Sequence, residues 1–205
     1  MNARVFSDED LAAIERTVQD AEARTASQIV VVVAERSSRY FAHRAVAAFS
    51  VVVALALLVY LLFPVVSPGL ILTGEVLLAP LLWLLFGARP LLLALVPDDF
   101  EQAEVEARAK VAFVDHRVFD TEGHAGVLLY LSLFEHRVEV LADTGVPPRL
   151  VQRSAATVVD GMRAGRPAAA VCAAVEELGD ELSRLFPTNG ESRRRLPDVH
   201  AGRRG

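Results

Sequence analysis

Two carboxylates near the end of a predicted strand are the residues best suited to chemistry in this 205-residue chain. Asp143 follows the strand-like run 138–142, where its side chain could cap the helix expected to begin at Pro148 or lend an oxygen to a hard cation such as Ca²⁺. Glu139 lies four residues earlier, and because side chains alternate along a strand, both carboxylates face the same side. They would still be about 13 Å apart at ~3.3 Å per residue. A turn or cap is therefore the first interpretation of Asp143, and a divalent-cation site formed with Glu139 is the alternative.

A second polar group, Glu135-His136-Arg137, connects two predicted strands. We expect it near the carboxyl ends of the two parallel strands, where open α/β sheets usually bind ligands. Because the chain leaves the first strand at this end to enter a predicted membrane segment, the group should face the bilayer beside Arg36 and Arg39. A solvated hairpin tip is the simpler interpretation, and recognition of a lipid headgroup or a membrane partner by these five residues is the alternative.

The other polar residues match no catalytic or metal-binding motif. His116 and His124 have no common metal spacing, and Ser132 lacks the Gly-x-Ser-x-Gly setting of a hydrolase nucleophile. The sequence contains no phosphate-binding glycine loop or dinucleotide fingerprint, and the single cysteine, Cys172, excludes an internal disulfide. A net charge of −5 argues against nucleic-acid binding. These observations favour a protein that is not an enzyme.

The central part of the chain, residues 45–97, is strongly apolar and carries only two charges, Glu75 and Arg89. Residues 45–63 and about 70–88 are each long enough, at ~1.5 Å per residue, to cross a hydrocarbon core of ~30 Å as a helix. A buried hairpin would need a much larger domain to cover it, so we predict a transmembrane hairpin. Glu75 could be interfacial or, as an acid inside a span, functional.

The arginines predict the orientation of this hairpin. Arg36, Arg39 and Arg44 precede the first span and Arg89 follows the second, whereas the connecting loop has none. By the positive-inside rule, both termini are predicted to be cytoplasmic.

The flanking segments predict one small three-layer α/β domain. Ser7 is a typical N-cap for an opening helix, and the helix that follows the hairpin, residues 98–119, should present Val111, Val114 and Val118 on its apolar side. A crossover through a helix makes the first two strands parallel, and a short connection makes the third antiparallel to the second. The predicted strands are residues 28–34, 126–134 and 138–142.

The predicted domain organisation has both flanks in one sheet. Residues 1–44 and 98–186 form the two parts of the domain, 45–97 the hairpin, and 187–205 a disordered, arginine-rich tail that could rest on anionic lipid. Since one sheet needs both flanks, they must lie on the same side of the bilayer, and an even number of spans satisfies this requirement.

With these elements placed, the sequence resembles the TPM domain family. The resemblance is carried by residues 6–11, by the step from helix to strand at residues 25–32, and by GVLLYLS (126–132) running into RVEVLADTGV (137–146). A hairpin inserted after the first strand resembles a bacterial membrane branch of that family, often found alongside secreted TPM proteins and LemA-like proteins. The resemblance implies a Rossmann-like mixed sheet in an inner-membrane protein. Acid phosphatase activity and calcium binding, described for some members, are further implications.

Three functions follow as expectations. The preferred one is a binding or scaffolding module for a membrane or envelope partner, either another membrane protein or a secreted TPM or LemA-like protein. The second is a divalent-metal-dependent, acid-phosphatase-like hydrolase that uses Asp143 and Glu139. The third is a transporter or channel subunit, for which Glu75 is the only indication. The expected partners include the lipid bilayer and exclude nucleic acid, and a divalent cation is the one candidate cofactor.

Overall fold

The computed structural model describes residues 5–37, 40–88, 91, 96–121, 123–188 and 199–201. The chain divides into two compact units, one formed by Met1–Ser37 with Gln102–Gly205 and the other by Ser38–Glu101. Within the described residues the helices are α1 Asp8–Glu22, α2 Phe41–Leu62, α3 Pro68–Leu85, α4 Asp98–Asp115, α5 Pro148–Arg163 and α6 Pro167–Leu185. The strands are β1 Gln28–Ala34, β2 Gly126–Ser132, β3 Arg137–Ala142 and β4 Val199–Ala201.

The first unit is built on a mixed sheet with the strand order β3-β2-β1-β4. β1 and β2 are parallel, with Val30 opposite Leu128, and β3 is antiparallel to β2, with Glu139 opposite Tyr130. The predicted α/β class and both pairings are therefore confirmed. The prediction of a disordered tail differs from the structure at Val199–Ala201, which pairs with β1 as a short parallel strand. For residues 189–198 and 202–205 that prediction lies outside the described residues.

Helices cover both faces of this sheet. On one face, α1, α5 and α6 bury a core that includes Ile14, Leu129 and Leu178. On the other face, α4 packs against the alternate residues of β1 and β2, among them Leu128. Strands covered on both sides must be apolar throughout, which explains the β-branched run in β1 and the complete burial of β2. Each fully buried Leu or Ile contributes about 1.5–3 kcal/mol, so this three-layer core holds the unit together.

The first helix begins where the sequence predicts. Ser7 is the N-cap, its hydroxyl accepts the Asp10 N–H at 3.1 Å, and the Asp10 carboxylate accepts the Ser7 N–H at 2.8 Å. The Ser7 backbone N–H lowers the pKa of Asp10, with help from the Ser7 hydroxyl. The capping box satisfies two backbone donors that the helix would otherwise leave unpaired.

The predicted core face of α4 is wrong. Val111 and Val114 are 50% and 59% exposed, whereas Val105, Ala109 and Ala112 face the sheet. The buried positions repeat at i, i+4 and i+7, and two of them are alanines, whose small side chains let the helix approach the sheet closely. The sequence prediction gave weight to the larger side chains rather than to this period. Val118 is buried as expected, but it lies beyond the end of the helix at Asp115.

The second unit contains α2 and α3, which pack against each other. Arg44, near the start of α2, reaches the end of α3, where its guanidinium donates to the Trp83 carbonyl at 2.8 Å and stacks 4.0 Å from the Trp83 ring centroid. The two helices therefore run antiparallel. Both are long and apolar enough to cross a membrane, and most of their large apolar side chains are exposed.

The buried and exposed sides of α4 should differ in their contribution to stability. Val105→Ala should lower the free energy of unfolding by about 2 kcal/mol, because it removes two buried carbon atoms worth ~0.8 kcal/mol each and leaves a cavity. Val111→Ala, on the exposed side of the same helix, should change it by less than about 0.5 kcal/mol. Urea unfolding of the detergent-solubilised chain, followed by circular dichroism, compares the two variants. Equal losses would show that both valines are core residues.

Candidate functional site

A buried polar cluster lies at the carboxyl ends of β1 and β2. It joins Ser37, Ser132 and Glu135, which are 2%, 0% and 5% exposed. The Ser37 and Ser132 hydroxyls are 2.7 Å apart, and the Ser132 hydroxyl donates to the Glu135 carboxylate. The Ser37 N–H lies 3.2 and 3.3 Å from the two Glu135 oxygens. The buried Glu135 carboxylate thus accepts hydrogen bonds from the Ser37 N–H and the Ser132 hydroxyl, two donors that are 95 residues apart in the sequence.

The register of the sheet brings these residues together. Ala34 is opposite Ser132, and the pairing continues past the strand ends, where the Leu133 N–H donates to the Ala34 carbonyl at 3.0 Å. The turn to β3 passes through His136, whose φ of 53° lies in the left-handed region. Glu135 lies just before this turn, and its carboxylate accepts the Ser37 N–H.

Two further side chains complete the cluster from the α4 side of the sheet. Arg108 of α4 donates from Nε to the Ser37 carbonyl at 3.0 Å, and the Tyr130 hydroxyl lies 3.3 Å from the Ser37 hydroxyl. Burial raises the pKa of Tyr130, the Ser37 hydrogen bond opposes that shift, and the nearby Glu135 carboxylate adds to it. Tyr130 therefore remains a neutral hydrogen-bonding group at physiological pH.

This arrangement is better suited to holding the chain than to catalysis. Ser37 is the final residue of the first segment of its unit, and its N–H, hydroxyl and carbonyl are all hydrogen-bonded within the cluster. A substrate could reach the serine hydroxyls only if the cluster opened, because both are almost fully buried. We call these five residues the Ser37 anchor: Ser37, Arg108, Tyr130, Ser132 and Glu135.

The residues predicted to face the membrane differ from one another in how far they are buried. Glu135 is buried in the Ser37 anchor, so its carboxylate is not part of the surface. Arg36 and His136 are exposed, and the Arg36 guanidinium lies 3.7 Å from the Phe134 ring centroid. Arg137 is half-buried and donates to the Gln102 side chain at 3.0 Å. Arg39 and Arg89 lie outside the described residues.

The structure places the two candidate metal ligands in separate contacts. Glu139 accepts a hydrogen bond from Gln102 at 3.4 Å, and its pKa is raised by burial and, secondarily, by the Glu106 carboxylate. Asp143 accepts the Thr144 N–H at 2.7 Å and lies 3.1 Å from His124 Nδ1, contacts that belong to a turn. Among the residues that the structure describes, no three His, Cys, Asp or Glu side chains are grouped so that they could hold a metal ion.

Sequence reasoning found part of the cluster and missed the rest. It selected Glu135 from its position between strands, but it set Ser132 aside for lack of a nucleophile motif and did not consider Ser37, Tyr130 or Arg108. The available signal was the parallel pairing itself, because aligning the ends of the two strands brings residues 34–37 next to residues 132–135.

Comparison with known proteins supports the fold and leaves the function open. No protein-family model matches the sequence, and none of the curated proteins matches it. The NMR structure of the BA42 protein from the psychrophilic bacterium Bizionia argentinensis is similar, with a TM-score of 0.60 and 15% sequence identity. The similarity covers 98% of this chain and 99% of that chain. At this identity the similarity shows the fold alone, so the TPM resemblance stays a prediction.

The Ser37 anchor can be tested through stability. Glu135→Ala should lower the free energy of unfolding by about 2–4 kcal/mol, because the Ser37 N–H and the Ser132 hydroxyl would each lose a buried acceptor. Glu176→Ala, at an exposed position of α6, is the matched control and should cost less than about 0.5 kcal/mol. Urea unfolding measures both changes, and a Glu135 variant no less stable than the control would show that the anchor contributes nothing.

Proposed function

We propose that this chain is an integral protein of the bacterial inner membrane whose TPM-like α/β domain is a cytoplasmic binding module without catalytic activity. The observation that carries this proposal is the parallel pairing of β1 with β2. β1 precedes the two apolar helices and β2 follows them, so one sheet requires both flanks in the same compartment. An α2–α3 hairpin that crosses the bilayer twice meets that requirement.

The surfaces of α2 and α3 support membrane insertion. Their exposed side chains form apolar faces that would be unfavourable in water, and large exposed apolar patches are typical of membrane or protein contacts. Hydrocarbon solvates such a surface, and a helix satisfies its own backbone hydrogen bonds there. The large apolar side chains that are more than half exposed include Val46, Phe49, Leu57, Leu61, Leu72, Val76, Leu77 and Leu84.

The arginine pattern supports cytoplasmic termini. Arg36 precedes α2 and Arg44 lies in its first turn, and residues 63–67 between the helices contain no basic side chain. Basic residues near the ends of a span favour the cytoplasmic side. The module would therefore meet partners from the cytoplasm.

The binding surface that we propose lies at the carboxyl ends of β1 and β2. Open α/β sheets bind ligands at this edge, and here it exposes His136 and Arg36, whose guanidinium lies over the Phe134 ring. Six residues connect β1 to α2, so this edge is the one nearest to the membrane along the chain. An acidic cytoplasmic segment of another membrane protein has the charge that complements the exposed Arg36 guanidinium of this edge.

Site-specific crosslinking in cells tests the proposal. A photoreactive amino acid placed at Arg36 or at His136 should capture the same membrane protein. One placed at Asp20 should not, because Asp20 is exposed near the end of α1, just before the amino end of β1. Reversing the charge at Arg36 should lower capture from position 136 by about tenfold or more, because like charges then face each other.

Three results would contradict the binding module. The first is equal capture from Asp20, and the second is capture of lipid alone from Arg36 and His136. The third is turnover of a generic phosphoester by the purified protein that depends on divalent cations and is lost in Asp143→Ala, which would favour the hydrolase instead.

A further inference from the structure

The two apolar helices line an open groove that contains one acid. Its volume is about 490 Å³, within the ~300–1,000 Å³ range of small-molecule sites. α2 and α3 both contribute walls, and Glu75 is the one ionisable side chain on them. The rest of the lining is apolar: Val52, Leu55, Ala56, Val59, Leu78 and Leu81 are representative.

Glu75 is placed inside the span rather than at its end. It is the eighth residue of α3, so it lies about 10 Å along the helix from Pro68 at ~1.5 Å per residue. Within the described residues, no hydrogen bond or ion pair reaches its half-buried carboxylate. A carboxylate in an apolar medium is costly without a partner, so acids inside membrane spans are usually paired or lie in a water-filled cavity.

The residues that line the groove include no basic side chain. Residues 45–88 contain no lysine, arginine or histidine, and Arg44, which precedes them in α2, contacts Trp83 near the end of α3. A cationic group of another molecule would complement the Glu75 carboxylate. The apolar walls around Glu75 favour a molecule whose charged group carries a hydrocarbon body.

We propose that the groove between α2 and α3 binds a single-chain cationic amphiphile, an alkylamine or alkylammonium ion, with the Glu75 carboxylate as its counter-ion. The alkyl chain packs against the leucine and valine walls, and the cation takes the position next to Glu75. This inference rests on the membrane insertion proposed above. It assigns a class of ligand to the hairpin, and the proposed binding module does not depend on that ligand.

Photolabelling of the full chain in phosphatidylcholine nanodiscs tests this site. The probe is a dodecyltrimethylammonium analogue with a diazirine near its head. The wild-type protein should be labelled saturably on peptides from α2 and α3, and unlabelled dodecyltrimethylammonium should compete while dodecyl sulfate should not. Glu75→Gln should lower labelling by about tenfold or more through loss of the charged contact, and Glu75→Asp should retain most of it.

Thr73→Val is the matched control, because its hydroxyl donates to the Gly69 carbonyl of the same helix and its side chain does not line the groove. It should be labelled like the wild type. Equal labelling of Glu75→Gln, or equal labelling by an anionic probe, would overturn the proposed site and leave the membrane proposal intact. If alkaline carbonate extracts the protein from bilayers, the hairpin does not span them, and both proposals fail.

Discussion

Parallel pairing between β1 and β2 is the constraint on which the rest of the structure depends. Gln28–Ala34 pairs residue by residue with Gly126–Ser132, and the core on both faces of the sheet is formed on these two strands. Neither strand can bury its side chains without the other. The apolar helices between them can therefore enter a bilayer only in a way that returns the chain to the side from which it left, and a two-helix hairpin is the shortest insertion that does so.

The Ser37 anchor lies at the end of the β1–β2 pairing. The sheet ends there and the chain continues toward α2, and at that point Ser37 is tied by its N–H, hydroxyl and carbonyl to residues from β2, the β2–β3 turn and α4. A displacement of residue 37 would break several buried hydrogen bonds at once. The anchor therefore fixes the edge that exposes Arg36 and His136, and a rigid edge suits a binding surface because less ordering entropy is lost when a partner binds.

Local signals made much of the fold predictable. Ser7 and Asp10 mark the first helix, the β-branched run marks β1, and connection lengths gave the strand directions. Side chains brought together from distant positions were harder to predict. Ser37 and Ser132 are 95 residues apart and meet only through the register of β1 and β2. On α4, the sequence prediction placed Val111 on the buried side instead of the alanines that face the sheet.

Cysteine accessibility tests the same-side requirement most directly. In a Cys172→Ser background, single cysteines replace Glu9 before the hairpin, Val65 in its loop and Arg163 after it, all at exposed positions. In intact cells a membrane-impermeant maleimide should label position 65, and positions 9 and 163 should react only after permeabilisation. Labelling of positions 9 and 163 from opposite sides of the membrane would contradict the account, because one sheet could not then contain both β1 and β2.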